Sequence, residues 1–311
     1  MPPMKRVLLL GGGGFLGRHI GAALAGHTAL RSPGRAQCDL VRAELPEVTA
    51  LIARERPDVV VSAAGRIVGS GYDFVRAHVV TTAKLIEAMA VAAPGARLIR
   101  IGSAAEYGVV PHGLAVGEDH PGAPVSEYGL SHLAATRLAE LAGDAGRLDT
   151  IVLRVFNPVG PGMPAGNMLS RVTAMVGAAI AGGAGDIALG LHDTYRDLVD
   201  VRDVAAAVLA ATRCAPGAER VVNVGSGRAV ATRDVVRLLA DVAGFHGAIR
   251  HGTFPPDATR SAAVPWMCAD IDRARRVLGW APAHDLSESL RTLWRADGAR
   301  PARPVAGVAA G

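Results

Sequence analysis

Val7-Leu8-Leu9-Leu10-Gly11-Gly12-Gly13-Gly14-Phe15-Leu16-Gly17 is the stretch whose reading decides the fold. The apolar run predicts a buried parallel strand. Glycines follow at 11, 14 and 17, and residues 18–24 read as helix. A strand, a glycine turn and a helix N-terminus make a pyrophosphate site. Glycines let backbone N–H groups approach the anion, and the helix dipole favours its charge. The spacing alone also suits a plain loop; the strand before it and the helix after it favour the nucleotide.

Outward from this turn, the chain alternates strand and helix. Strands are predicted at 6–10, 27–31, 58–62, 97–102 and 149–155, and helices at 15–25, 44–56, 73–93 and 126–143. That pattern is α/β, a Rossmann-like doubly wound parallel sheet with a smaller C-terminal substrate lobe. Further helices are predicted at 167–182, 196–213 and 232–244, with loops at 158–166 and 252–265. The expected division gives residues 1–156 to the dinucleotide, with 196–229 returning to that part. Residues 157–195 and 230–296 then form the substrate lobe, and the Ala-, Gly-, Pro- and Arg-rich residues 297–311 a mobile tail.

With 311 residues the chain can bury a sizeable core, and its 50% hydrophobic content excludes a disordered chain. The formal charge of +5 is mild and spread along the chain, and aromatics are only 4%, so a nucleic-acid surface is not expected. Cys38, Cys214 and Cys268 lie far apart in sequence. They form no metal-ligand spacing, and free thiols in a reducing cytoplasm are the expectation. The apolar run after Lys5-Arg6 stops at Gly11, too short for a signal-peptide core, and no stretch is long enough to span a bilayer. A homodimer is compatible with the chain but not fixed by it.

After the second strand come Arg31, Ser32 and Arg35, where an NAD site normally has an acidic residue. Two cations and a hydroxyl suit the 2′-phosphate of NADP(H), although a solvated basic turn has the same composition; NAD(H) stays open. Ala63-Ala64-Gly65 ends a strand at the edge where ligands lie in such sheets. Ser103 ends another strand and Tyr128 begins a helix, so that a hydroxyl and a phenol can converge on one carbonyl oxygen. Singly, Ser103 could cap a turn and Tyr128 could be a partly buried aromatic.

On these residues the chain resembles the extended short-chain dehydrogenase/reductases, the NAD-dependent epimerase/dehydratase family. Gly11, Gly14 and Gly17, with Phe15 and Leu16 between them, look like the family's glycine motif, and Asp39-Leu40 like its adenine-contacting pair. Ser103 and Tyr128 match the catalytic serine and tyrosine, with Ala104 beside them as a substrate contact. Phe156 and Asn157, in Leu153-Arg154-Val155-Phe156-Asn157-Pro158-Val159-Gly160, resemble the segment joining the nicotinamide and substrate sites. Arg196 looks like the arginine that holds a substrate phosphate; on spacing it could equally be the structural partner of Asp197 or Asp200. Val222-Asn223-Val224-Gly225 and Leu278-Gly279-Trp280 are further landmarks, so the resemblance runs nearly the whole chain.

Two departures fall at the catalytic centre. The family's Tyr-x-x-x-Lys reads Tyr128 to His132, and the Asn of its Asn-Val-x-Gly-Thr segment is His78. Neither Lys5 nor Lys84, the only lysines, is spaced to replace the missing one. His132 lies one helical turn beyond Tyr128 on the same face, and its imidazole is expected to be neutral near pH 7. The resemblance then implies an NAD(P)H-dependent reductase of a small-molecule carbonyl, worded most like reductases of nucleotide-linked 4-keto-6-deoxy sugars. Tyr128 is the expected proton donor, Ser103 its companion on the oxygen, and His132, with His78, the holder of the ribose. A ketoreductase of polyketide or aromatic products, a nucleotide-sugar epimerase or dehydratase, and a non-catalytic dinucleotide binder are the alternatives.

Overall fold

The computed structural model describes residues 4–190, 193–217, 219–252 and 264–298. Its central sheet starts from period-two burial in β1 (Arg6–Leu10). Val7 and Leu9 face one layer while Leu8 and Leu10 face the other, and all four are buried. A strand buried on both sides must be covered by helices on both sides.

Six parallel strands make the sheet, in the order β2-β1-β3-β4-β5-β9. They are β2 (Ala29–Arg31), β3 (Val59–Ser62), β4 (Arg97–Ser103), β5 (Asp149–Val155) and β9 (Val221–Val224), with β1. The order reverses at β1, which pairs with both β2 and β3, and ligands lie beyond the strand ends at such a switch point. Helices α1 (Phe15–Leu24) and α7 (Val201–Ala211) cover one face through Ile20, Leu24, Val204 and Val208. On the other, α2 (Leu45–Glu55) and α4 (Thr81–Ala92) pack Val48, Leu51, Leu85 and Met89 against Leu8, Val60 and Leu98. Beside α4 stands α5 (Glu127–Asp144).

The single helix expected over 73–93 is three segments. A short α3 (Gly71–Phe74) passes into a π-helical turn (Val75–Val80) before α4 begins. The Thr81 and Thr82 hydroxyls donate back to the carbonyls of Ala77 and His78, each at 2.6 Å, which supports the wider turn.

A second region holds β6 (Asn157–Val159), β8 (Tyr195–Asp200), β10 (Ala229–Ala231) and β12 (Trp266–Met267) in a small sheet around β8. A two-stranded sheet pairs β7 (Asp186–Leu189) with β11 (Ala248–His251). The core between α6 (Met168–Gly182), α8 (Thr232–Ala243) and α10 (Leu286–Asp297) gathers Val172, Val176, Val236, Leu239, Leu290 and Leu293. A short α9 (Asp272–Leu278) precedes α10.

The helix expected over 196–213 is corrected. Residues 195–200 form strand β8, and only then does Asp200 cap α7, its carboxylate accepting from the Arg202 N–H at 2.7 Å. Residues 196–200 therefore belong to the small sheet, while α7 and β9 return to the large one. Asp297 closes α10, and the rest of the expected tail, from residue 299, lies outside the described residues, as does most of the 252–265 loop.

Candidate active site

The glycine turn is shaped by close approaches that a side chain would block. Gly11 has φ +85°, and a Cβ there would come within 2.5 Å of the Ala64 nitrogen and 2.7 Å of the Ala63 carbonyl carbon. Gly17 lies so close to the Gly11 carbonyl oxygen that a Cβ would collide with it. Gly14 is the N-cap of α1, with no side-chain cap and no acidic residue in the first turn. The N–H groups of Phe15, Leu16 and Gly17 thus lack an intrahelical acceptor at the positive end of the helix dipole. These features fit a dinucleotide pyrophosphate. Ser32, from the end of β2, rests directly over Gly12.

The remaining cofactor candidates surround this turn. Arg31 and Arg35 are exposed, and Arg31 stands 4.0 Å from the Glu55 carboxylate. Asp39 accepts from the Val41 N–H at 3.1 Å, and Leu40 is buried under α2 and α4. Lys84 pins this loop through the carbonyls of Leu40 and Ala43, at 2.9 and 2.6 Å. Lys5 is committed to the Thr212 carbonyl at 2.7 Å, so neither lysine serves the catalytic centre.

Ser103 ends β4, and its backbone is held by Glu106, whose Oε1 accepts from the Ser103 N–H at 3.0 Å. Its hydroxyl accepts from the Ala105 N–H at 3.2 Å, which is the capping role the residue type allows. The Ser103 side chain also acts on the Tyr128 phenol, drawing its pKa down. A hydroxyl can accept from a cap while its own hydrogen points elsewhere, so the cap leaves the Ser103 donor available. Glu106 is wholly buried and is anchored by Arg154, whose Nε donates to Oε2 at 2.8 Å.

Ser126 caps α5 by accepting from the Gly129 N–H at 3.1 Å, which places Tyr128 in the first turn. The phenol ring meets Phe74 edge-on at 5.6 Å, His78 at 5.6 Å and His132 at 4.6 Å between centroids. Burial raises the Tyr128 pKa; the Ser103 hydrogen bond and the charge of Arg100 pull against that rise, and Glu106 adds to it.

His132 is buried, and burial holds its pKa well below the usual value, with Arg100 and His78 adding to the depression. The expected neutral imidazole follows. Arg100 Nη2 lies 3.2 Å from His132 Nδ1, and a guanidinium can only donate. Nδ1 therefore accepts and Nε2 carries the hydrogen.

His78 lies beside His132, with ring centroids 4.0 Å apart. Its Nε2 accepts from the Arg66 N–H at 3.2 Å, so Nδ1 carries the hydrogen and donates to Ser131 Oγ at 2.8 Å. Ser131 passes its own hydrogen to the Tyr128 carbonyl at 2.8 Å. With both ring nitrogens hydrogen-bonded, His78 ties the loop after β3 to α5. Burial and the Arg100 charge lower its pKa to about 4.

Phe156 lies between β5 and β6, and its side chain is wholly buried with Tyr107, Ala104 and Met267. Asn157 donates through Nδ2 to the Asp197 carbonyl at 2.8 Å, and Ala104 is buried under Ser103. Arg196 Nη1 donates to the Tyr195 carbonyl at 2.8 Å, and burial brings its pKa down to about 10. Asp197 is occupied by the N–H groups of Ser226, Gly227 and Ala269, and Asp200 by Arg202.

Arg100, Ser131 and the Glu106–Arg154 pair are absent from the sequence reading. Arg100 carries a signal there, a cation in the middle of the apolar run of β4, but the chain uses arginine almost everywhere.

The family model for the NAD dependent epimerase/dehydratase family matches residues 7–225. The chain belongs to that family. The dTDP-6-deoxy-L-talose 4-dehydrogenase (NAD(P)(+)) of Kitasatospora kifunensis is 40% identical, over 95% of this chain and 96% of the relative. A UDP-glucose 4-epimerase of Azospirillum brasilense is 31% identical, over 90% and 88%. Among solved structures, RMD from Pseudomonas aeruginosa complexed with NADPH superposes with a TM-score of 0.83 at 25% identity, covering 96% of this chain and 99% of that one. With this membership the chain is an NAD(P)-dependent enzyme, an oxidoreductase of the Rossmann type. Among the described residues no helix is long and apolar enough to cross a membrane, and no cluster of metal-binding side chains occurs.

Proposed function

We propose that the enzyme reduces the keto group of a nucleotide-activated deoxysugar, drawing on NADPH in preference to NADH. What carries this reading is the action of the Ser103 side chain on the Tyr128 phenol, together with the uncapped start of α1 that fits a dinucleotide. NADPH, when bound, supplies hydride to the carbonyl carbon. Tyr128 gives its phenolic proton to the oxygen as the alkoxide develops. Ser103 donates a hydrogen bond to the same oxygen, stabilising its charge. The Nε2–H of His132 is a donor on the face of α5 that carries Tyr128, suited to orienting a ribose hydroxyl.

Arg31 and Arg35 support the NADP(H) preference, since no acidic residue stands among 31–35 to receive a 2′-OH. Arg196 and Asn157, on the neighbouring strands β8 and β6, are the proposed contacts of the substrate diphosphate. Residues 1–156 with α7 and β9 act as the cofactor part, and the small sheet with α6, α8 and α10 as the substrate lobe. The proposed assembly is a homodimer through α4 and α5, which expose Val80, Val91, Leu130 and Leu141 at and along their surfaces. The proposed compartment is the cytoplasm.

The test is NADPH consumption with dTDP-, GDP- and UDP-linked 4-keto-6-deoxy sugars, against polyketide and aromatic ketones. Consumption with a nucleotide-linked sugar and not with the others is expected. The second reading, an epimerase, draws on the 31% identical relative. It predicts interconversion of two sugar nucleotides with no net use of cofactor, and that result would displace the reductase.

A further inference from the structure

Arg100 projects from β4 into the layer between the sheet and helices α4 and α5. It is 3% exposed, and its hydrogen-bond partners are Thr82 Oγ1, Thr136 Oγ1 and His132 Nδ1, each at 3.2 Å. All three are neutral acceptors. Among the described residues no carboxylate lies within ion-pair distance of it. An arginine is protonated at neutral pH, and burying such a charge without a counter-charge costs several kcal/mol. A core position filled by leucine would avoid that cost.

We propose that Arg100 supplies the fixed positive charge that acts on Tyr128, and that the cation usually carried four residues beyond the tyrosine has moved from α5 to β4. This deepens the reading of Tyr128 as proton donor and rests on it. The His132 imidazole that accepts from the guanidinium at 3.2 Å lies 4.6 Å, centroid to centroid, from the Tyr128 ring, so Arg100 is a positioning residue, acting on the phenol across that imidazole. The exchange explains the histidine. A lysine at 132 would place a second buried cation against Arg100, whereas a neutral imidazole accepts from the guanidinium and still presents Nε2–H to the site.

Of the other charged groups around the phenol, Glu106 opposes Arg100, raising the Tyr128 pKa where Arg100 lowers it, and is itself held by a second arginine. From the turn after β4, Glu106 is neutralised by Arg154 of β5 at 2.8 Å. From the π-helical turn, His78 is uncharged, its pKa held down to about 4 mainly by burial. On α5 itself, His132 is uncharged for the same reason. Lys5 and Lys84 are tied to distant carbonyls.

The test reads the phenol directly and needs no sugar substrate. Difluorotyrosine, whose more acidic phenol titrates where the protein is folded, replaces the four tyrosines. The ¹⁹F signal of residue 128 is assigned by its loss in Tyr128→Phe, and the cofactor-bound full chain is titrated. Arg100→Met is expected to raise the residue-128 titration by about one unit or more, the effect of losing a nearby opposite charge. Arg100→Lys and His132→Gln are expected to leave it within a few tenths of a unit, since each keeps a cation at position 100. Adding His132→Lys to Arg100→Met is expected to bring the titration back down.

An unmoved titration in Arg100→Met overturns the proposal. So does a rise in His132→Gln as large as that expected of Arg100→Met, which would return the charge to position 132. Should Arg100→Met not fold, Arg100→Gln, which keeps donors for Thr82 and Thr136 without the charge, is titrated in its place, with the same rise expected and an unmoved titration again overturning the proposal. Failure to consume NADPH with any ketone, alongside the expected titrations, would sink the substrate reading and leave this one standing.

Discussion

Arg154 Nε and Glu106 Oε2 stand 2.8 Å apart with the carboxylate wholly buried and the guanidinium nearly so. The pair does structural service for chemistry performed by neither member. Glu106 Oε1 fixes the Ser103 N–H, and the Arg154 guanidinium lies over the Tyr107 ring, 4.7 Å from its centroid.

Breaking one half leaves an uncompensated buried charge, at a cost of about 3–5 kcal/mol. Arg154→Met is therefore expected to lower the melting temperature sharply and to loosen the Ser103 turn. Replacing both partners, with Glu106→Gln added, is expected to recover part of the loss. A thermal-denaturation double-mutant cycle checks this; additive losses would show that the two side chains do not stabilise one another.

Tyr128→Phe removes the phenolic proton and keeps the ring that packs on Phe74 and His132. Ketone reduction is expected to fall by at least ~100-fold in kcat, the usual scale of a lost general acid. Ser103→Ala is expected to cost a comparable factor of ~100–1,000 through the lost donor. Both should bind NADPH as the parent does. Stopped-flow turnover beside cofactor fluorescence titration separates the two effects, and a Tyr128→Phe variant with near-normal kcat would move the proton source elsewhere.

Arg31 and Arg35 are predicted to set the cofactor preference. Losing charge-assisted contacts of this kind costs on the order of 1.5–3 kcal/mol, tenfold or more in affinity. The Arg31→Ala, Arg35→Ala double variant is expected to weaken NADPH by that factor and to leave NADH nearly unchanged. Equal binding of the two cofactors by the unmodified enzyme would release these arginines from the role.

The two buried histidines make the fold acid-sensitive. An unfolded histidine titrates near ~6.5, whereas His78 in the folded chain sits at about 4. Between those values the unfolded chain binds the extra proton. The contribution of His78 is thus complete above ~6.5 and is lost as pH falls through 4, a change of about 3 kcal/mol. His78→Asn lacks this proton, so its melting temperature should fall less steeply between pH 7 and 4.5. Parallel curves for the two proteins would mean that the His78 proton is not coupled to folding.

What the sequence discloses follows from the range over which each signal acts. The glycine turn is legible because Gly11, Gly14 and Gly17 answer to backbone geometry within one turn. Ser103 and Tyr128 are legible as a pair of end positions, one on a strand and one on a helix. Arg100 is not, because its meaning lies in partners from two other elements, Thr82 on α4 and Thr136 and His132 on α5. The π-helical turn at Val75–Val80 is hidden for a related reason: no breaker interrupts residues 73–93, so the run reads as one regular helix. At 196–213 the periodicity misleads outright, since the Asp200 cap inside it is visible as a boundary only once β8 is paired.

Gly162, in the loop after β6, gives its N–H to Asp297 at the end of α10, at 2.8 Å. The same loop receives Arg18 on the Gly162 carbonyl at 3.4 Å and approaches His19 through the Pro161 carbonyl at 3.0 Å, while Arg18 also reaches back to the Gly13 carbonyl at 3.2 Å. Helix α10 is thereby laced to the rim of the glycine turn, so the enzyme has a buckle at which α1 and α10 are fastened by one loop. Arg18 and His19 of α1 and Asp297 of α10 thus share one loop, so a change in the glycine turn and a change at α10 have a common mechanical neighbour.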